Sequence, residues 1–337
     1  MDDRKKEIVF EIKSLRTWFP VRKGALKRHV GDVKAVDDLS LTVYRGETLG
    51  IVGESGCGKS TLGKSIMRLE NPTGGEVLYN YDGEFRDIMC FNREELFQFR
   101  KRVQMVFQDP YSALNPVKRV YDSFSDPLQV HGYKSAEERQ RVIEEALSLV
   151  NIQPDYLLRF PHEFSGGQRQ RLCIARALSV RPNVLVCDEP VSALDVSIQA
   201  QVLNLMKDIQ KELNLTYIFI AHDLSVVQYM SDRIAVMYLG KMVELADAKE
   251  LYKNSLHPYT KALLSAVPLP DIHQSVQRTV LKGEVPSPIH KPGGCAFHQR
   301  CTQCMEICKT VAPALTPCGQ AEHKVACHLY DGDHVTP

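Results

Sequence analysis

Gly53-Glu54-Ser55-Gly56-Cys57-Gly58-Lys59-Ser60-Thr61 matches the phosphate-loop pattern G-x-x-x-x-G-K-[ST] at every fixed position, and Thr48-Leu49-Gly50-Ile51-Val52 supplies the apolar strand that must precede it. Three glycines let the backbone curl so that successive N–H groups point inward at an anion. The helix expected from Lys59 to about Leu69 adds its positive N-terminal end. The pattern predicts a nucleotide site, with Lys59 as a point charge on the β- and γ-phosphates and the Ser60 hydroxyl on Mg²⁺. The alternative, a glycine-rich turn between a strand and a helix, loses ground to the motifs downstream.

A chain of 337 residues, 44% hydrophobic and 25% charged, has the composition of a soluble globular protein long enough for two domains. Apolar runs such as Tyr217–Ala221 and Val184–Cys187 fall far short of the ~20 residues that span a bilayer, and Met1-Asp2-Asp3-Arg4-Lys5-Lys6 lacks a signal-peptide core. A cytoplasmic location is therefore expected. A net charge of +1 gives no global field to attract nucleic acid, so none is expected as a partner. The basic run Arg22, Lys23, Lys27, Arg28, His29 and Lys34 reads as a solvated loop or a local anion contact. Of ten cysteines, Cys57, Cys90, Cys173 and Cys187 are scattered singly, whereas Cys295, Cys301, Cys304, Cys308, Cys318 and Cys327 crowd the end of the chain. In a reducing compartment such a cluster points to metal or iron–sulfur ligation before disulfides.

Alternation of Ile8, Phe10 and Ile12 and of Leu39, Leu41 and Val43 predicts an antiparallel β-layer ahead of the phosphate loop. Trp18 and Phe19 stand side by side at the end of its first strand. Either ring suits stacking on adenine or packing at a sheet edge, and Phe19 is the favoured stacking residue. Val103–Phe107 reads as a strand that delivers Gln108 to a loop opening with Asp109-Pro110. Ser135 begins a capping box ahead of an amphipathic helix over 135–150. Ser165 can cap a helix running through Gln168–Val180, which leaves the N–H groups of Gly166 and Gly167 at a second positive helix end. Val184–Asp188 reads as a buried parallel strand ending in the carboxylates Asp188 and Glu189. Thr216–Ala221 reads as another such strand, with His222-Asp223 at its exit, and a final strand is expected near Lys241–Leu245. Strand–helix alternation makes the fold α/β, and the prolines between Pro268 and Gly294 mark a linker.

Taken in order, Gly53–Thr61, Gln108, Ser165–Gln168, Asp188-Glu189, Ser192-Ala193-Leu194-Asp195 and His222 resemble the ATP-binding subunits of ABC transporters over residues 8–250. Phe107-Gln108-Asp109-Pro110, Leu114-Asn115-Pro116 and the tail Gly294-Cys295…Phe297-His298…Arg300-Cys301…Glu306-Ile307-Cys308…Cys327-His328 look like the dipeptide and oligopeptide importer branch. Within that branch, the Pro20–Lys34 insertion and the Cys57-containing loop are similar to the second of two paralogous ATPases.

The resemblance implies an α/β ABC-type phosphate-loop ATPase core over 1–255, with an antiparallel β-subdomain and a helical subdomain at about 110–170. A helix and proline-rich linker over 256–294 and a small Cys-rich extension over 295–330 would follow. It implies that ATP and Mg²⁺ are bound by Gly53, Ser55, Gly56, Cys57, Gly58, Lys59, Ser60 and Thr61. Asp188 would hold Mg²⁺ together with Ser60 and Gln108. Glu189 would orient or deprotonate the attacking water, and Gln108 and His222 would contact the γ-phosphate region. Ser165, Gly166, Gly167 and Gln168 would close over the nucleotide of a paralogous partner, with Asp195 crossing the same interface, so that ATP glues a heterodimer.

Further implied partners are two transmembrane permease subunits, reached near Gln108, and indirectly an extracytoplasmic solute-binding protein. The chain would then lie at the cytoplasmic face of the cell membrane. For the tail, the resemblance implies a [4Fe–4S] cluster on Cys295, Cys301, Cys308 and Cys327, with Zn²⁺ as the alternative through Cys301, Cys304, Cys308, Cys327, His298 or His328. Import of di- and oligopeptides is the expected function, while nickel chelates, glutathione-like compounds and sugars stay open as cargo. A soluble ABC ATPase acting on nucleic acid and a redox regulator are the rivals. Neither a second phosphate loop nor sustained heptads favours the first, and the Asp188-Glu189 pair speaks for retained hydrolysis.

Overall fold

The computed structural model describes residues 7–24, 28–266, 281, 283–319 and 322–331. Residues 1–6, Lys27 of the basic run, and residues 267–280 and 282 of the proline-rich stretch lie outside them. In chain order the strands are β1 (Ile8–Lys23), β2 (Arg28–Tyr44), β3 (Thr48–Val52), β4 (Gly74–Tyr81), β5 (Glu84–Asp87), β6 (Val103–Val106), β7 (Val184–Asp188), β8 (Thr216–Ile220), β9 (Arg233–Tyr238), β10 (Lys241–Asp247), β11 (Thr316–Pro317) and β12 (Lys324–Val325). Two compact units form: one from 8–43, 49–89 and the described residues from Ala221 onward, the other from Glu7, 44–48 and 90–220.

The first unit holds the phosphate loop. Its β-layer runs β2-β1-β4-β5, and the expected alternation buries Phe10 and Ile12, with Phe10 opposite Tyr79 and their rings 5.0 Å apart. A second sheet starts with β3, wholly buried and parallel to β9. β9 turns into antiparallel β10 through Leu239-Gly240, whose φ angles of 45° and 79° make the mirror-image turn that matches strand twist. The helix after the loop spans Lys59–Ile66 and stops short of Leu69. The N–H of Arg68 donates to the Ser65 carbonyl (3.0 Å) and that of Leu69 to the Lys64 carbonyl (2.8 Å), with Arg68 left-handed at φ 50°. This closing motif usually takes glycine; an arginine there hides the stop from a sequence reading.

The Lys241–Asp247 strand is not the last of its sheet. β12 pairs antiparallel with β10, and β11 with β12. A tail poor in large apolar residues thus completes itself on an existing strand. At that junction Glu244 is fully buried. It accepts the backbone N–H groups of Leu256 (2.7 Å) and His257 (3.0 Å), and His323 Nε2 lies 2.8 Å from its carboxylate.

The tail also corrects an expectation. Among the described residues no group of three or more His, Cys, Asp or Glu is placed to hold a metal ion. Cys295, Cys301, Cys308 and Cys327 therefore form no [4Fe–4S] site, and the zinc alternative falls with it. The histidines of the zinc alternative are engaged elsewhere: His328 is bonded to Asp331 (2.6 Å) and to the Val311 carbonyl (2.9 Å), and His298 Nδ1 to the Cys295 carbonyl (2.9 Å). Burial pushes the thiol of Cys295 up to about 11 and that of Cys327 to about 12.

The second unit is a parallel sheet of β6, β7 and β8 with helices. β7 and β8 are buried at every residue, as expected for strands covered on both faces. Ser135 caps the helix Ala136–Leu149 by accepting the Glu138 N–H at 3.0 Å. The helix Val196–Leu213 ends at left-handed Asn214.

Replacing Glu244 by alanine strands two backbone donors and a buried imidazole at one point. Glu244→Ala is expected to cost about 3–5 kcal/mol, and Glu244→Gln, which keeps the shape, markedly less. Denaturant unfolding of the two variants measures the difference.

Candidate nucleotide site

In the first unit the loop bends around two glycine positions that admit no side chain. A Cβ on Gly58, at φ 103°, would lie 1.9 Å from the Ala35 carbonyl oxygen, and one on Gly53 would lie 2.2 Å from that of Met237. The loop is thereby pressed between β2 and the end of β9. The Gly240 N–H donates to the Cys57 carbonyl (2.8 Å), and the Asp37 N–H to the Gly240 carbonyl (2.9 Å).

Lys59 is buried, and its ammonium donates to the carbonyls of Gly53 (2.7 Å) and Glu54 (3.1 Å) inside the curl. Gly58, at the cap of the helix Lys59–Ile66, offers no side-chain acceptor to the first helical N–H groups, which a phosphate can then take. Ser55 and Gly56 form the exposed rim. Cys57 is 4% exposed; burial raises its thiol, and the nearby Lys59 opposes the rise. His222 is exposed, next to Asp223, which caps the helix Leu224–Met230 by accepting the Ser225 N–H at 2.8 Å. Phe19 lies in β1 at 36% exposure, beside a Trp18 ring that carries the Lys34 ammonium 4.4 Å from its centroid.

The second unit brings Gln108 and Glu189 together: the Gln108 amide donates to a Glu189 carboxylate oxygen at 2.9 Å. Asp188 ends β7, 6% exposed. Glu189 is left-handed at φ 47°, a conformation costing a non-glycine residue about 1–3 kcal/mol. It is held there because its N–H donates to the Ile220 carbonyl (2.9 Å) and its carbonyl accepts from the Ser192 hydroxyl (3.1 Å). Asp109 and Pro110 do not merely break the chain: Asp109 caps the Tyr111 N–H at 2.8 Å and opens the short helix Pro110–Ala113. That helix packs on the helix Gly166–Leu178, with the Arg169 guanidinium 3.9 Å from the Tyr111 ring centroid.

Ser165 and Gln168 satisfy each other's backbone N–H groups at 3.3 and 3.0 Å, the expected capping box. A Cβ on Gly167 would sit 2.4 Å from Ile198, so glycine there sets how closely the two helices approach. Asp195 is exposed at the start of the helix Val196–Leu213, and its carboxylate makes no cap bond. Sequence reasoning missed Tyr259 and Arg300, which both bind Glu54 of the loop. Arg300 stands within the tail pattern, but no period connects position 300 with position 54.

The profile of the ABC transporter family matches residues 36–192, and that of the oligopeptide/dipeptide transporter C-terminal region matches residues 243–308. The chain is 52% identical over 328 residues to the oligopeptide transport ATP-binding protein AppF of Bacillus subtilis, covering 96% of this chain and 98% of that one. It is 43% identical over 322 residues to the di/tripeptide transport ATP-binding protein DppF of Pseudomonas aeruginosa, at the same coverages. Among solved structures, cbiO1 of Clostridium perfringens, part of the ABC transporter complex cbiONQ, superposes with a TM-score of 0.62 at 26% identity, covering 74% of this chain and 92% of that one. The ATP-binding cassette MJ0796, solved as a dimer bound to ADP and Pi, gives 0.61 at 28% identity, covering 71% and 98%. With near-full-length relatives at this identity, the chain belongs to the ATP-binding proteins of oligopeptide and dipeptide ABC transporters.

Proposed function

We propose that this chain hydrolyses ATP to power the import of di- and oligopeptides through separate transmembrane permease subunits. The observation that carries the reading is the curled loop, with Lys59 turned into it and an uncapped helix end facing the same space. Gly53, Ser55, Gly56, Cys57, Gly58, Lys59, Ser60 and Thr61 would wrap the phosphates, and Phe19 would meet the base. Ser60, Gln108 and Asp188 are oxygen ligands of the kind Mg²⁺ takes, and the ion would supply charge neutralisation at the phosphates. Glu189 would orient or deprotonate the water that attacks the γ-phosphoryl group, held by Gln108, with His222 as a further contact.

In a heterodimer with a paralogous ATPase, Ser165, Gly166, Gly167, Gln168 and Asp195 would complete the partner's site. Tyr111 and Val117, 60% and 79% exposed just after Gln108, support a permease contact there. Among the described residues no helix is long and apolar enough to cross a membrane, which fits a peripheral subunit; the cytoplasmic face and an extracytoplasmic solute-binding protein complete the proposal. Residues 1–255 would form the ATPase domain and 256–330 its linker and extension.

Glu189→Gln is expected to keep ATP binding and lower turnover of the assembled transporter by about 10²–10⁴-fold, the size of a general-base contribution. ATPase rate and nucleotide retention measure it, and near-normal turnover removes Glu189 from the chemistry. Lys59→Ala should weaken ATP binding and slow hydrolysis together. Peptide uptake at the wild-type rate in that variant would show this chain's ATP site to be dispensable.

A further inference from the structure

Glu54, second in the phosphate loop, has all four of its polar groups engaged. Its N–H donates to the Tyr259 hydroxyl (2.8 Å), and its carbonyl accepts from Lys59 (3.1 Å). Each carboxylate oxygen accepts from one terminal nitrogen of Arg300, at 2.7 and 3.0 Å. The Arg300 side chain is only 7% exposed and that of Glu54 26%, so this paired fork is largely shielded from water. Arg300 is fixed in turn. Its backbone N–H donates to the Phe297 carbonyl (3.0 Å), and one guanidinium nitrogen lies 3.4 Å from the Tyr238 hydroxyl. Phe297, 2% exposed, wedges between the rings of Tyr238, Tyr259 and His257, with centroids 5.3, 5.4 and 5.6 Å away. Tail and loop are therefore tied directly through the ion pair, and indirectly through Tyr259, whose ring meets Phe297 and whose hydroxyl meets the Glu54 N–H.

We propose that Arg300 is a positioning residue for nucleotide binding: it fixes Glu54 so that the loop keeps its phosphate-binding shape, and it cancels a carboxylate that would otherwise oppose the phosphates. The inference rests on reading residues 53–61 as the ATP site. Released from Arg300, the Glu54 carboxylate competes with phosphate for the ammonium of Lys59, which already touches the carbonyl of the same residue. It also places a negative charge beside a polyanion. Lysine does not replace arginine here, since one point charge cannot hold both carboxylate oxygens in the fork.

The test uses the purified full-length chain for Mg·ATP binding and the assembled transporter for kinetics. Arg300→Met should raise the Kd and the KM for ATP about tenfold, within the about 5- to 150-fold range of couplings between linked sites, and leave kcat at saturating ATP within about twofold. Adding Glu54→Gln to Arg300→Met should restore most of the affinity, which a merely structural role for Arg300 would not give. Arg300→Lys should show a smaller loss of the same sign, and serves where the methionine variant folds poorly. Lys309→Ala, which removes only an exposed pair with Glu306, is the unchanged control. Wild-type affinity in Arg300→Met or Arg300→Lys, or no rescue by Glu54→Gln, overturns the proposal. A wild-type chain that does not bind ATP would instead overturn the nucleotide reading beneath it.

Discussion

The buried ammonium of Lys59 is the constraint around which the phosphate loop is built. Withdrawing such a charge from water costs several kcal/mol unless it is well paired, and the carbonyls of Gly53 and Glu54 meet it with partial charges only. The backbone must curl to bring both within reach. That curl is possible because Gly53 and Gly58 let neighbouring carbonyls approach where a Cβ would stand. A phosphate offers full charges in place of those partial ones, so the geometry that keeps Lys59 buried also favours a polyanion.

A different constraint governs the carboxylates of the other unit. Glu189 occupies a backbone conformation unfavourable for its residue type, and hydrogen bonds on both sides of its peptide hold it there. Strain of this kind persists where surroundings over-determine it. Its side chain receives the Gln108 amide, so the orientation of the carboxylate depends on a loop 81 positions away in sequence. A change at the short helix Pro110–Ala113, or at the helix Gly166–Leu178 on which it packs, can reach Glu189 through that amide. If Glu189 acts as proposed, this would be a route by which a contact near residue 108 could act on the chemistry without touching the nucleotide.

How much the sequence disclosed depends on the range of each interaction. Short-range patterns were legible: the phosphate loop, the cap at Ser165, the buried runs of β7 and β8 and the alternation in β1 each concern residues a few positions apart. The early end of the helix after Lys59 was not, because Arg68 adopts the left-handed turn that usually announces itself as glycine. The cluster of thiols misled for the opposite reason. Proximity in sequence suggested a ligand set, whereas His328 spends both ring nitrogens on a carboxylate and a carbonyl, His298 Nδ1 meets a carbonyl, and no ligating group assembles among the described residues. Glu244 with His323, and Glu54 with Arg300, were invisible because a buried polar pair leaves no period.

These two buried pairs, a Glu244–His323 hydrogen bond and a Glu54–Arg300 ion pair, help to hold a tail with few large apolar side chains. Each contributes one residue from the tail and one from the body of the unit, and each lies beside backbone the body must also fix: Glu244 holds the start of the helix Pro258–Ser265, and Glu54 holds the loop. Tyr259 belongs to that helix, and it reaches both sides at once: its ring packs on Phe297 of the tail and its hydroxyl accepts from the Glu54 N–H. The helix start is therefore positioned by one pair and the loop by the other, with Tyr259 between them. Buried ion pairs contribute little net stability against well-packed apolar groups; what they fix is geometry, because an unpaired partner is so costly. A tail joined in this way cannot shift without disturbing the turn of backbone over residues 53–61, where the proposed function places the phosphates.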